Sequence, residues 1–428
     1  MHFKIICMSN KTRKRLSFLL FPLSFLILIF LSYSSFSEES LTDNSNHFKN
    51  KSQLKDVKIE ELIDYSDFEI VNSLVNDDAF KQFQEKINVK TRYTKFHGSV
   101  LVAYQDQIVF QEEFGYKDPI QKTPLRRDTS YELASVSKQF TAAAVLMLAE
   151  ENCIDINQSV AHYLPDFKFD NISVRQLLKH TSGLWDYMYI TEAFWNKSEA
   201  PTNQEVVQLI STHQRNLNFQ PGSRFNYNNS NYVVLAALVE KISNISFENF
   251  LEERIFEELC LTDSYVGLTN RSIDFVADAF IGYGRGYVSL PASFHNQALG
   301  DKGVYASPTD LYRWFKSLKN EEILSQEYVD LMFNQDEFDS HKYGMGFRTK
   351  YSKTLEPIIY HNGIWDGYRN GLTYLPNDDL VIIVMSNTQN RSKKYLQDYL
   401  INEAKKLVKT PSVQQLFIED NQTATPFL

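Results

Sequence analysis

The chain has 428 residues, 43% hydrophobic and 23% charged, and a formal net charge of −9. That composition excludes wholesale disorder and collagen-like repeats. An acidic chain is also poorly suited to sequence-independent nucleic-acid binding, which rests on Lys and Arg neutralising phosphates. Three cysteines are too few for a disulfide-built scaffold or a cysteine-rich zinc module.

Residues 1–37 hold five basic side chains (Lys4, Lys11, Arg13, Lys14 and Arg15) and no acid. The basic cluster is followed by the apolar run Leu16–Leu31 and then by a Ser-rich stretch ending at Ser37. Basic, apolar, small-polar is the order of a secretory signal peptide cut after Ser37. The rival is an uncleaved membrane anchor, because the uncharged run from Leu16 to Ser37 is about long enough to span a bilayer. On either reading the remainder is exported, to a periplasm or the cell exterior. Cys153 and Cys260 then face a compartment that permits a bridge, although the plainer reading, favoured here, is two buried thiols. Residues 38–67 are polar and read as a linker.

Ile70, Leu74, Val75, Phe80 and Phe83 recur at helical spacing, predicting an amphipathic helix over residues 68–88. Gly98–Tyr116 reads as a hairpin turning at Gln105–Gln107. Ser135–Glu151, alanine-rich and free of Gly and Pro, reads as a helix with one apolar side. A long, mostly helical stretch follows, about 155–300. Ser307-Pro308-Thr309-Asp310 then resembles a capping box opening a helix through Leu318. Pro357–Tyr360, Tyr368–Leu375 and Leu380–Ser386 are β-type runs, with turn signals at Asn362-Gly363 and Pro376-Asn377. Residues 392–408 form a closing helix, and 411–428 read as a loose tail. This order predicts an α+β fold: one antiparallel sheet built from both chain ends, flanked by helices, with a helical insertion. The folded domain would run from 68 to 410.

Ser135-Val136-Ser137-Lys138 matches S-x-x-K, a pattern weak alone, since Ser52–Lys55 matches it too. Context separates the two. Ser135 opens a strong helix, where residues i and i+3 share a face, so the Lys138 amine reaches the Ser135 hydroxyl. A serine is a weak nucleophile until a neighbouring base takes its proton. The plainer alternative is a helix-capping Ser135 and a surface Lys138.

Three further stretches decide between these. They are Leu178-Lys179-His180-Thr181-Ser182-Gly183-Leu184, Pro221–Asn229, and His361-Asn362-Gly363 with the β region ending at Asn387. In this order the set resembles the serine β-lactamase-related family: class C β-lactamases, D-Ala-D-Ala carboxypeptidases and related esterases. The resemblance spans about residues 68–410 and implies the β-lactamase/transpeptidase-like fold. It also implies an acyl-enzyme mechanism with Ser135 as nucleophile and Lys138 as its activating base. Tyr227 would be the proton shuttle, and Asn229 would hold Lys138 and the substrate amide. His361 and Gly363 match the triplet on the neighbouring strand, and the backbone N–H groups of Ser135 and Ile364 would form the oxyanion hole.

The triplet departs from the class C pattern, where Lys usually stands at the position of His361. A histidine near its ordinary pKa of about 6.5 is only partly charged at neutral pH. Carboxypeptidase or esterase activity on a small molecule or peptide is therefore expected ahead of β-lactam hydrolysis. A non-catalytic penicillin- or peptidoglycan-binding relative is the alternative from another class. His180 reads as structural. Tyr187, Tyr189 and Trp365 are candidates to line the cleft, and Arg369 is a candidate to meet a substrate carboxylate. Gly300-Asp301-Lys302-Gly303 stands where relatives often have a Gly-Gly turn. No cofactor or metal is expected, since there is no H-E-x-x-H and no clustered Cys/His spacing.

Overall fold

The computed structural model describes Leu74 and residues 77–417, apart from 268–275, 284–285, 292, 334–340, 390–391 and 416. All of these belong to the unit Ile70–Leu428. The expected signal or anchor segment, the linker, and residues 418–428 lie outside the described residues.

The chain enters through α1 (Asp78–Thr94), whose N-cap Asp77 accepts a hydrogen bond from the Phe80 amide and which ends at a left-handed Lys95. The helix runs further than the apolar spacing predicts, and residues 68–73 and 75–76 of the expected span lie outside the described residues. Ile87 and Thr91 continue its buried face beyond Phe80 and Phe83. β1 (Gly98–Tyr104) and β2 (Gln107–Phe114) follow, joined by Gln105-Asp106. Both turn residues have positive φ, as a two-residue hairpin with right-handed strand twist requires.

Four strands from the far end of the chain complete the sheet: β3 (Arg348–Tyr351), β4 (Pro357–Trp365), β5 (Tyr368–Leu375) and β6 (Leu380–Ser386). Their order is β3-β4-β5-β6-β1-β2, antiparallel throughout, with Gly98 opposite Ser386 and Tyr104 opposite Leu380. The α+β arrangement expected from the sequence is the one observed. Two details differ. β3 escaped the sequence pattern. Asn362-Gly363 is not a turn but lies inside β4, and the reversal falls at Asp366-Gly367, both with positive φ.

Both faces of the sheet are buried. Val100, Val102, Ile382 and Val384 pack into an apolar layer with Phe80, Phe83, Leu396 and Leu400. The last two belong to the C-terminal helix, Ser392–Leu407. Leu101, Ala103, Ile383 and Met385 face the larger core on the other side. Alternation therefore sends successive side chains into two different cores, and the strands read as unbroken apolar runs.

The larger core is centred on α2 (Lys138–Glu150) and α3 (Ser230–Ser243). Every α2 residue from Lys138 to Ala149 is buried. The expected one-sided helix is buried all round, because other helices enclose it: α3 packs along it and the Trp314 ring stacks on Phe140 at 4.3 Å. Ser307 caps α4 (Pro308–Lys319) by accepting from the Asp310 amide. The Asp310 side chain does not reciprocate. It accepts instead from the Asp263 amide and the Ser264 hydroxyl. The C-terminal helix Ser392–Leu407 is α5. Residues 411–415 then form a helical turn, and Val413 and Phe417 are buried. This part of the expected loose tail is docked.

Candidate active site

Ser135 does not open the α-helix itself. It sits in the 3₁₀ turn Ala134–Ser137 between the short strand Tyr131–Glu132 and α2. Residues i and i+3 eclipse in a 3₁₀ turn, so the S-x-x-K spacing still stacks its two side chains. Ala134 takes φ 53°, left-handed backbone that costs a non-glycine residue energy. The Glu132 carboxylate holds it there. Oε1 accepts from the Ala134 amide at 3.1 Å and from the Gly303 amide at 2.8 Å. Burial pushes this carboxyl up to about 7.

Lys138 is fully buried. Its Nζ lies 3.2 Å from Ser135 Oγ and donates to Asn229 Oδ1 at 2.9 Å and to the Asp301 carbonyl at 2.8 Å. The rings of Tyr227 and Tyr232 lie 5.0 and 5.6 Å away. All three hydrogen-bond partners are neutral oxygens, and among the described residues no carboxylate forms an ion pair with the amine. The surface-lysine alternative is thereby corrected: an amine this enclosed is packed against the serine.

Asn229 begins α3 but does not cap it with its side chain. The amide bridges Lys138 and Asp186, with Nδ2 3.4 Å from Asp186 Oδ2. The hydroxyl of Tyr227 is buried with no hydrogen-bond partner. Its ring packs at 4.3 Å on His180 and at 4.6 Å under the Arg348 guanidinium. His180 is buried, and its Nδ1 accepts from the Asn228 amide and Asn231 Nδ2. It therefore fixes the loop that carries Tyr227 and Asn229. Burial, then Lys138 and His361, hold its pKa well below the usual value.

β3 pairs with β4 only as far as Tyr360, so from His361 onward the outer edge of β4 is not covered by β3. At Gly363 the strand lies against the Ala134–Ser137 turn. A Cβ on Gly363 would fall 2.1 Å from the Leu133 carbonyl oxygen and 3.1 Å from the Ser135 amide nitrogen. Only glycine permits the approach. Ile364 follows with its side chain exposed. His361 points inward and is 1% exposed. Its Nδ1 lies 3.0 Å from the Asn362 carbonyl and its Nε2 3.4 Å from the Tyr343 hydroxyl. Burial, then the Lys138 and Arg348 cations, push its pKa well below the usual value. The expected partly charged histidine is corrected to a neutral one. Asn362 points away from it, accepting from Lys393 Nζ at 2.6 Å.

Ser135, Lys138 and Asn229 are thus in direct contact, Tyr227 and His361 pack beside them, and Gly363 touches the nucleophile turn. Of the looser candidates, Tyr187 is buried beside Asp301 and Lys302, whereas Tyr189 is exposed. Trp365 Nε1 donates to Asn296 Oδ1. Arg369 donates from Nε to the Gln389 carbonyl. Sequence reasoning missed Tyr343, Arg348 and the Asp301 carbonyl. A carbonyl leaves no sequence signal. Arg348 was hidden because β3 itself was, its only hint being the position just after Tyr343-Gly344-Met345-Gly346-Phe347. Cys153 is a free, exposed thiol, so it does not bridge to Cys260. Among the described residues no group of His, Cys, Asp or Glu is arranged to hold a metal ion, and no helix is long and apolar enough to cross a membrane.

The Beta-lactamase family model matches residues 77–405, and the chain belongs to that family. Its relatives include penicillin-binding protein 4* of Bacillus subtilis (strain 168), 29% identical over 311 residues, 69% of each chain. Protein flp of Staphylococcus aureus (strain N315) is 24% identical over 71% of this chain, and the match spans 61% of that protein's own length. Among solved structures, the D-amino acid amidase of Ochrobactrum anthropi SV3, complexed with L-phenylalanine amide, superposes with a TM-score of 0.66 at 20% identity. That match covers 78% of this chain and 99% of the amidase. At that identity the likeness establishes the shared fold.

Proposed function

We propose that this protein is an exported serine hydrolase that cleaves an amide or ester bond through an acyl-Ser135 intermediate, acting as a carboxypeptidase or esterase. The observation that carries the reading is the Lys138 amine, buried, 3.2 Å from Ser135 Oγ and surrounded by neutral acceptors. Lys138 takes the Ser135 proton as Oγ attacks the substrate carbonyl carbon. The resulting oxyanion is met by the amides of Ser135 and Ile364, such donors being worth roughly 3–4 kcal/mol each. The tetrahedral centre collapses, the bond to the leaving group breaks, and Tyr227 Oη gives its proton to that group and recovers one from the Lys138 ammonium. Water then attacks the acyl-serine with the same groups acting in reverse. The uncovered edge of β4 accommodates an extended peptide.

A neutral His361 cannot serve as the cation for a substrate carboxylate. Arg348 takes that role in this reading. Its guanidinium lies over the Tyr227 ring, and among the described residues no carboxylate pairs with it. Export rests on the basic, apolar and Ser-rich order of residues 1–37. The test is intact mass after exposure to a fluorophosphonate and, separately, a penicillin, in wild type and Ser135→Ala. A single adduct absent from the variant supports the reading. A long-lived penicillin adduct fits a carboxypeptidase or esterase, and rapid drug turnover would make it a β-lactamase. Folded wild-type protein that forms no adduct with either reagent refutes it and favours a binding protein.

A further inference from the structure

The Gly300–Gly303 turn brings a second lysine to the site. Both glycines have positive φ, 96° and 97°. A Cβ on Gly300 would fall 2.5 Å from the Tyr232 carbonyl oxygen, and Thr141 Oγ1 donates to the Gly300 carbonyl at 2.7 Å. The turn is therefore seated against α2 and α3, and it presents the Asp301 carbonyl to Lys138 Nζ. The carboxylate of the same residue is 2% exposed, and so is Lys302. Lys302 Nζ lies 3.3 Å from Asp301 Oδ1 and donates to the Tyr187 hydroxyl at 2.7 Å and the Ala298 carbonyl at 3.0 Å. Tyr187 Oη donates to Asp301 Oδ2 at 3.5 Å.

This placement carries a hazard for a lysine base. A carboxylate beside an amine favours the ammonium form, which cannot take a proton. Asp301 is the acid whose own backbone already touches Lys138. We propose that Lys302 is a positioning residue that sequesters the Asp301 carboxylate, leaving Lys138 among neutral oxygens and able to accept the Ser135 proton. The inference rests on Lys138 being the base, as proposed above.

The surrounding groups do not duplicate the role. Asp186, on the helix that carries Tyr187, is raised in pKa by burial, and so is Glu132. His295 is lowered by burial. Around Lys138 itself lie Asn229, the rings of Tyr227 and Tyr232, and the neutral His180 and His361. Arg348 lies on the far side of the Tyr227 ring. Of Asp301, Lys138 touches only the carbonyl, whereas Lys302 contacts the carboxylate.

The test is the pH profile of Ser135 acylation by an ester or fluorophosphonate, with thermal melting to confirm folding. Lys302→Met frees Asp301 to pair with Lys138. The half-maximal pH of acylation is expected to rise by about one to three units, the usual effect of an adjacent opposite charge, so acylation at neutral pH falls at least about tenfold. Adding Asp301→Asn to Lys302→Met removes the carboxylate and is expected to return the profile toward wild type. Lys302→Arg retains the cation and is expected to keep the half-maximal pH. If Lys302→Met does not fold, the same shift and rescue are read from Lys302→Gln. An unshifted profile, a loss that Asp301→Asn does not rescue, or an Arg profile that moves with the Met one overturns the inference and leaves the function standing. Absence of any Ser135 adduct in wild type overturns both.

Discussion

His361 and Arg348 divide between them two properties that one lysine at the head of the triplet would combine. His361 has the place, next to the Ser135 turn, but burial first, with the basic side chains around it, keeps it neutral. Arg348 has the charge, over the Tyr227 ring. Arg348→Gln is therefore expected to raise KM for a substrate with a free carboxylate by roughly ten- to a hundredfold, the worth of a charge-assisted hydrogen bond. Turnover of a neutral ester should be nearly unchanged. Equal loss on both substrates would remove Arg348 from recognition. Neutral His361 also has a cost in acid. Its pKa is lower folded than the unfolded value of about 6.5, so below that pH the unfolded chain binds a proton that the folded chain refuses. Stability from this group is complete above about pH 6.5 and is lost as pH falls toward the folded pKa, by up to about 1.4 kcal/mol per unit. His180 acts in the same sense and Glu132 and Asp310 in the opposite one, and all three are common to wild type and variant. Denaturant unfolding of His361→Asn should therefore show a shallower loss between neutral and mildly acidic pH than wild type. Parallel curves would mean that His361 titrates normally.

The secondary-structure elements were legible wherever one physical signal dominated. The β1–β2 hairpin and the β5 and β6 runs combine β-branched residues with clear turns, and the sequence placed them well. Asn362-Gly363 misled because the pair is a common turn former. Here the glycine serves close approach, as shown by the 2.1 Å gap a Cβ would leave to the Leu133 carbonyl. Asn362 is matched to Lys393 rather than to a turn. The Ser135 segment was read as a helix start because S-x-x-K stacks its side chains in either helix type, so the pattern cannot register the 3₁₀ turn. The candidate site residues that cluster in the fold were legible from motif order, while the groups packed around them were not. Glu132, Asp301, Tyr343 and Arg348 act through burial and long-range contact that no local pattern encodes. Gly363→Ala tests the element-level reading. Pushing β4 off the nucleophile turn should slow acylation by about a hundredfold or more, the loss expected when one oxyanion donor is displaced. Near-wild-type labelling would show that the edge of β4 does not need that approach.

At the scale of the molecule, the site lies between a sheet closed by both chain ends and the helical layer between them. β1 pairs with β6 along its whole length, so β4, which carries the triplet, and β5 beside it belong to a sheet that a strand from far earlier in the chain completes. The layer behind that junction is built from α1 and α5, linked by Lys86 and Glu403 at 2.9 Å. The end of the chain reaches it as well. Phe417 packs edge-on against Tyr104, the last residue of β1, with ring centroids 4.8 Å apart, and Val413 is buried nearby. The composition of 411–428 conceals this: Val413, Leu416 and Phe417 stand at helical spacing, but three positions are too short a run to predict a helix beside the polar residues that follow. If the segment closes the layer, Phe417→Ala removes a buried aromatic side chain and should cost about 3 kcal/mol in equilibrium denaturation. The rate of Ser135 acylation should stay close to wild type, since the larger core on the opposite face of the sheet holds α2. A loss within experimental scatter would return residues 411–417 to the loose tail that their composition implies. A loss of acylation in protein that remains folded would show instead that the two faces of the sheet are coupled, with the chain terminus acting on the nucleophile through β1 and β6.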